Sequence, residues 1–297
     1  MAAMLGPATF RNVVMDYVAL TKPRIVWALL ITALCGMVAA AGGLPDAGIA
    51  VSVLVGGALA AGGANALNQY FERDIDAVMD RTSQRPVAAG RVAPQRAIAF
   101  GVLLNVAAFA MLSSMANTLS AVLTLCATLF YVLVYTMGLK RLTPQNIVIG
   151  GAAGAVPPMV GWAAVTGEVG LEALYMFANV FFWTPPHFWA LALLIKEDYT
   201  RAGVPMLPVV AGVAGTKLQI LLYTLNLFAL TVLFFATGRV GWLYLGAAIS
   251  LGGLFIYYAW RLLKRPESEG ARGLFRYSLA YLALLFAAIA VDGVLWA

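Results

Sequence analysis

Long apolar runs separated by short polar ones leave few folds open to this chain. About 20 apolar residues in a helix are enough to cross the hydrocarbon core of a bilayer. Lipid offers the backbone no hydrogen bonds, so each such run must satisfy its own as a helix. Nine runs stand out, at about 25–42, 48–68, 96–114, 118–138, 146–165, 171–195, 217–237, 242–262 and 275–296. Composition agrees: 62% of the 297 residues are hydrophobic and 11% are charged, against about 25% charged in a soluble domain. The expectation is an all-α polytopic membrane protein with nine transmembrane helices. It forms one embedded domain over 1–297, since no polar stretch is long enough for a second.

Charge placement gives the orientation. With the N-terminus inside, every one of the 19 Lys and Arg residues except Arg239 falls on the inner side. This is the pattern of a protein whose basic loops stay in the cytoplasm, and it requires an odd number of spans. The net charge of +6 therefore follows the membrane and is no nucleic-acid signal. Residues 1–25 lack the ordered regions of a cleaved signal peptide. Arg11 to Leu20 reads as a short interfacial helix, with Phe10, Val13, Val14, Tyr17 and Val18 on one side. Cys35 and Cys126 stand alone in apolar runs, without metal spacing or an evident disulfide role. The outer loops are short and nearly featureless, so the polar chemistry is one-sided. A transporter is expected to carry polar features at the midplane and on both faces; an enzyme with a cytoplasmic mouth is not.

Two inner loops, 72–96 and 196–216, carry that chemistry. Each follows an even-numbered span, a weak hint of an internal repeat. The first opens with Asn68, Glu72, Asp76 and Asp80 at steps of four. Four residues advance a helix by only about 40° around its axis, so Asn68, Glu72 and Asp76 share one narrow face while Asp74 points elsewhere. Like charges so placed repel unless a cation lies among them. Carboxylates with an amide suit Mg²⁺, which takes oxygen ligands and keeps water or phosphate in its shell. Arg81, Arg85 and Arg91 follow, and Tyr131, Tyr135, Lys140 and Arg141 end the fourth span on the same side. Basic residues beside cation-loaded carboxylates fit a bridging polyanion such as diphosphate. Asn146, Gly150, Gly151 and Gly154 give the fifth span a smooth face, better suited to helix packing than to a ligand.

The second loop contributes His187, the only histidine, directly after Pro185 and Pro186. Proline removes backbone donors inside a helix, so His187 either satisfies freed carbonyls or contacts substrate, where a neutral imidazole is also a good metal ligand. Asp198 either joins a second cation site or pairs in the loop with Lys196 or Arg201. There is no Ser-His-Asp or Cys-His arrangement to supply a nucleophile.

NQYFERDID, followed by DRTSQRPVAAGR, resembles the first Asp-rich motif of the intramembrane prenyltransferase superfamily. The superfamily pattern places Asp one, four and eight residues after Asn. Here those positions hold Gln69, Glu72 and Asp76, and the second motif, KEDYTRAGVPMLP, is poor in Asp. With LTKPRI, YTMGLKRLTPQNIVIGGAAGAVPPMVGW and TPPHFWALALLIKEDYTRAGVPMLPVVAG, these departures resemble the heme-farnesylating branch of the superfamily. The likeness runs from about residue 16 to 217, and beyond that only hydropathy and spacing match.

The resemblance implies nine helices around a central cavity open to the cytoplasm, with loops 72–96 and 196–216 carrying the active site. It implies Mg²⁺ as cofactor, with Asn68, Glu72, Asp76, Asp80 and Asp198 as candidate metal ligands. Farnesyl diphosphate is the implied donor, met by Arg81, Arg85, Lys140, Arg141 and Tyr135, and heme B the acceptor, met by His187. Asn68, Glu72, Asp76, Arg85 and Lys140 are the candidate catalytic group. The implied setting is a bacterial inner membrane, with membrane lipid around the chain and a heme A synthase or an oxidase assembly as protein partner. Two rival readings remain: a related prenyltransferase with another aromatic or macrocyclic acceptor, and a heme-binding membrane protein without chemistry. The carboxylate array argues against the second, because heme binding alone needs no diphosphate site.

Overall fold

A computed structural model describes residues 10–295; the first nine residues of the segment read above for a signal peptide lie outside them, as does the Phe10 side chain. Among the described residues all regular structure is helical. α1 (Phe10–Thr21) leads into α2 (Pro23–Ala41), followed by α3 (Ala47–Phe71), α4 (Arg73–Val78) and α5 (Pro94–Met115). α6 (Thr118–Leu129) runs through a π-helical stretch, Phe130–Leu139, into α7 (Lys140–Leu142). Next come α8 (Asn146–Thr166), α9 (Leu171–Leu194), α10 (Lys196–Arg201), α11 (Leu207–Val210), α12 (Gly212–Phe235), α13 (Trp242–Lys264) and α14 (Ala271–Leu295).

Local chemistry explains the boundaries. Pro23 and Pro94 open α2 and α5, where no backbone donor is lost. Asp46 and Asn117 cap α3 and α6 through the Ile49 and Ser120 amides. Buried Asp292 of α14 accepts from the Gly241 and Tyr244 amides and so caps α13 from a neighbouring helix. α12 begins at Gly212 rather than near 217, because Lys217 does not mark a water boundary. It is buried, and its ammonium donates to the Arg265 carbonyl at 2.6 Å.

Among the described residues, eight helical segments are long and apolar enough to cross a membrane. α9 has comparable length, 24 residues, but Asn179, Pro185, Pro186 and His187 dilute its hydropathy. The chain is an integral, multi-pass membrane protein. Val13, Val14 and Val18 of α1 are exposed, as an interfacial helix requires. Cys35 and Cys126 are free thiols.

The long helices form two arcs that share α2 and α8. One runs α2, α3, α5, α6, α8; the other runs α8, α9, α12, α13, α14 and back to α2. Gly161 sits so close to the Ala33 carbonyl, and Gly36 to the Pro158 carbonyl, that a Cβ on either would collide with backbone. Close approach of this kind is what small residues provide where lipid gives no hydrophobic drive. The two polar inner loops each open with a six-residue helix, α4 and α10.

Candidate active site

The last turn of α3, the break after it and α4 bring Asn68, Glu72 and Asp76 together, all essentially buried. The helix is not continuous here. Glu72 is the hinge between α3 and α4, with φ −98° and ψ 8°, yet the Glu72 amide still reaches the Asn68 carbonyl and the Asp76 amide the Glu72 carbonyl. The shared face therefore survives to Asp76. It does not extend to Asp80: α4 ends at Val78 and Met79 is extended, which turns Asp80 out to solvent.

Three cations ring the cluster. Lys140 Nζ stands 2.6 Å from Glu72 Oε1. Arg85 donates to both Asp76 carboxylate oxygens, at 2.7 and 2.8 Å, and lies 3.8 Å from Glu72 Oε2. Lys22 donates to Asn68 Oδ1 at 2.8 Å, while Asn68 Nδ2 donates to Thr136 Oγ1 at 3.1 Å. Burial pushes the Glu72 carboxyl up, but the Lys140 and Lys22 ammoniums more than offset it and hold Glu72 below the usual carboxylate value. Burial, with Arg85 nearby, brings the Lys22 ammonium down to about 7. An ordinary exposed lysine titrates near 10.4.

Lys22 was legible only as one more inner basic residue, and Thr136 was not singled out at all. Lys22 adopts the left-handed region, φ 51° and ψ 60°, which costs a non-glycine residue of order 1–3 kcal/mol. The tight step from α1 to α2 before Pro23 imposes that conformation and turns the ammonium inward. The clue was its place in LTKPRI, directly before the proline. Thr136 lies in the π-helical stretch, and such stretches often mark functional sites. Gln69 explains one departure from the superfamily pattern. Its amide turns away from the cluster and donates to the Ala19 and Leu20 carbonyls, tying α3 to the end of α1.

The remaining candidates lie apart. Asp74 and Arg141 pair with each other on the outside, at 2.7–2.8 Å, and Arg141 also donates to the Phe71 carbonyl. Asp80 and Asp198 meet at Arg201, which bonds both. This is the loop pairing open to Asp198 from the sequence. Among the described residues no three His, Cys, Asp or Glu side chains form one metal cluster, so the five candidate ligands are not gathered at a single point. Arg81 is exposed near Tyr199, whose hydroxyl is pushed up by burial against the pull of Arg81. Tyr135 stacks on Tyr131 and packs flush against Gly150, and Gly151 receives Thr184. Those two glycines serve packing, whereas Gly154 faces open space. His187 meets the Ser278 hydroxyl at 2.7 Å through Nδ1, not a carbonyl freed by the proline pair.

A cleft of about 230 Å³ lies between α4 and α10 beside Arg141 and Arg201. A larger one, about 320 Å³, lies at the opposite end of the bundle near Glu172 and Arg239. Among the described residues, only the end that carries α4 and α10 combines buried carboxylates with several cations, which makes it the candidate site.

The family described as the UbiA prenyltransferase family matches residues 29–290. The chain belongs to that family. A protein named protoheme IX farnesyltransferase from Symbiobacterium thermophilum is 54% identical over 283 residues, covering 95% of this chain and 95% of the relative. One of the same name from Roseiflexus castenholzii is 50% identical over 95% of this chain. This chain spans only 53% of that relative's length. Digeranylgeranylglyceryl phosphate synthase superposes with a TM-score of 0.79 at 18% identity, over 95% of this chain and 99% of that one. A UbiA homolog from Archaeoglobus fulgidus bound to DMAPP and Mg²⁺ superposes with a TM-score of 0.64 at 18% identity, over 93% and 99%. At such identities the two structures speak for the UbiA fold alone.

Proposed function

We propose that the chain transfers the farnesyl group of farnesyl diphosphate to a vinyl group of heme B, giving heme O. The observation that carries this reading is the buried Asn68–Glu72–Asp76 cluster ringed by Lys22, Arg85 and Lys140, in a chain half-identical to protoheme IX farnesyltransferases. Oxygen donors in a buried anionic pocket fit Mg²⁺, and Asn68, Glu72 and Asp76 would hold it. When bound, the ion supplies positive charge to the diphosphate.

Arg85, Lys140 and Lys22 stand beside these donors, at hand for the outer diphosphate oxygens. Charge that develops on a leaving group is best met by groups already in place. The C–O bond of the donor breaks with its electron pair going to diphosphate, leaving an allylic cation. The vinyl π electrons attack that cation, and water adds to the new cation with loss of a proton, giving the hydroxyethylfarnesyl product. The apolar bundle keeps water from the first cation, and the reaction asks for no side-chain nucleophile. We place the mouth on the cytoplasmic face of a bacterial inner membrane, an orientation that the distribution of basic residues supports, and His187 at the heme. The product would pass to a following heme-modifying enzyme.

Expression in cells that lack heme O, followed by pigment extraction and mass analysis, tests the reading. A farnesylated heme is expected. Inserted protein that yields none, and releases no diphosphate from farnesyl diphosphate with Mg²⁺ present, would leave only heme binding.

A further inference from the structure

His187 is held on three sides. Trp183, one turn earlier on α9, stacks on its ring with centroids 4.2 Å apart and planes 17° apart. Phe275 of α14 stacks at 4.7 Å and 23°. Two near-parallel rings this close cannot share one face, so the imidazole is sandwiched and only its edge can meet polar groups. One edge nitrogen, Nδ1, lies 2.7 Å from Ser278 Oγ. The other, Nε2, has no hydrogen-bond partner among the described residues, and it is not among the sealed, unpartnered polar atoms.

Ser278 is fully buried on α14, and its hydroxyl has one proton. That proton is committed: Oγ donates to the Phe275 carbonyl at 2.7 Å. Two oxygens so close attract only with a proton between them. The lone pair of Oγ is then what faces Nδ1, and Nδ1 must carry the proton. Ser278 is itself pinned, since the Trp183 indole donates to its carbonyl at 2.7 Å. The indole that covers the imidazole thus also fixes the residue that hydrogen-bonds it.

We propose that Ser278 is a positioning residue that holds His187 as the Nδ1–H tautomer, leaving the bare Nε2 as an axial ligand for the iron of the porphyrin acceptor. The hydrogen bond made by one ring nitrogen decides which nitrogen can bind metal, and partners of this kind orient a metal-binding imidazole and raise its basicity. The proposal rests on the reading of heme as acceptor and adds how the chain would grip it. Orientation of the macrocycle follows, because a ligand fixed at the iron limits which vinyl can approach the farnesyl cation.

The chain has a single histidine, so ¹⁵N-histidine labelling yields one ring to assign. In heme-free protein in nanodiscs, the ¹⁵N shifts should show a protonated Nδ1 and a bare Nε2, and a protonated Nε2 would overturn the proposal whatever the variants do. Ser278→Ala should mix the tautomers, weaken ferric heme binding about 10-fold and shift the Soret band, while farnesyl diphosphate binding holds. Ser278→Thr, which keeps the hydroxyl, should restore all three. His187→Ala should abolish the axial-ligand signature, and free imidazole should restore it in His187→Gly. An unchanged heme spectrum in His187→Ala would overturn iron ligation yet leave farnesyl transfer standing, since the pigment assay judges that separately.

Discussion

Two acid clusters lie at the same end of the bundle, and they differ chiefly in water. Glu72 and Asp76, each 1% exposed, are paired with Lys140 and Arg85. Asp80, with its side chain 81% exposed, shares Arg201 with Asp198. The residue types are the same, but their worth is not. An exposed ion pair contributes roughly 0–1 kcal/mol and is screened by salt. A buried carboxylate that loses its partner leaves the opposite charge stranded, at roughly 3–5 kcal/mol. The buried cluster therefore has to keep its cations, and the chain accepts a left-handed Lys22 to supply one. The Arg201 group is anchored at half-buried Asp198, but its exposed pair with Asp80 is free to form and break between the two inner loops.

Removing a buried carboxylate should have the largest effect. Glu72→Ala strands Lys140, and Asp76→Ala strands Arg85. Each is expected to lower stability by roughly 3–5 kcal/mol and to abolish heme O formation. Glu72→Gln keeps the volume and removes only the charge, so it separates packing from chemistry. Thermal unfolding in detergent and pigment extraction read the two effects. If Asp80→Ala lost product as completely, the contrast between the clusters would vanish.

Removing the cations comes next. Arg85→Ala and Lys140→Ala should slow product formation about 100–1,000-fold, the usual loss when one preplaced donor to developing charge is removed. Arg85→Lys sharpens the comparison. It keeps the charge but not the planar guanidinium, whose nitrogen Nη1 alone reaches both Asp76 oxygens and lies 3.8 Å from Glu72, so its rate should fall between wild type and Arg85→Ala. A rate equal to wild type would mean that only net charge matters at this position.

The sequence made the helices legible, because a run of apolar residues is a local signal. Most spans agree with the structure within a few residues, and the exceptions have tertiary causes, as with Lys217 at the start of α12. The acid face was legible as far as Asp76, since a step of four needs only a helix. The same step of four does not carry to Asp80, because α4 ends at Val78 and Met79 is extended, a break that spacing does not encode. Partners were the least legible. The proline in LTKPRI hints at a tight step at Lys22, but nothing local says that Lys22 faces Asn68 across 46 positions, or that Arg141 turns out to Asp74 while its neighbour Lys140 turns in to Glu72.

The Arg201 group should respond weakly. Arg201→Ala removes both of its pairs, yet stability should change little, and the change should shrink further in high salt. Product formation should stay within a few-fold of wild type. A loss as deep as that of Arg85→Ala would place Asp80, Asp198 and Arg201 in the chemistry after all, and a Mg²⁺ titration of the variant would then locate the step.

The smallest effect is expected at Asp74, which sits between Glu72 and Asp76 in sequence but on the other side of α4. Its hydrogen bonds from Arg141 hold the carboxyl down to about 2 against a small opposing push from burial. The native value lies below the ordinary one near 3.9, so the native state binds this proton less readily than the unfolded chain does. The stabilising contribution is then complete above the ordinary value and fades as pH falls from about 4 towards about 2. Asp74 is largely exposed, so solvent keeps that contribution to less than about 1 kcal/mol. Asp74→Asn should therefore unfold slightly earlier than wild type at neutral pH, converge with it near pH 2, and form product at close to the wild-type rate. A deep loss of product with unchanged stability would mean that Arg141 leaves Asp74 to meet the diphosphate during turnover, and the boundary between buried and exposed charge would have to be redrawn around it.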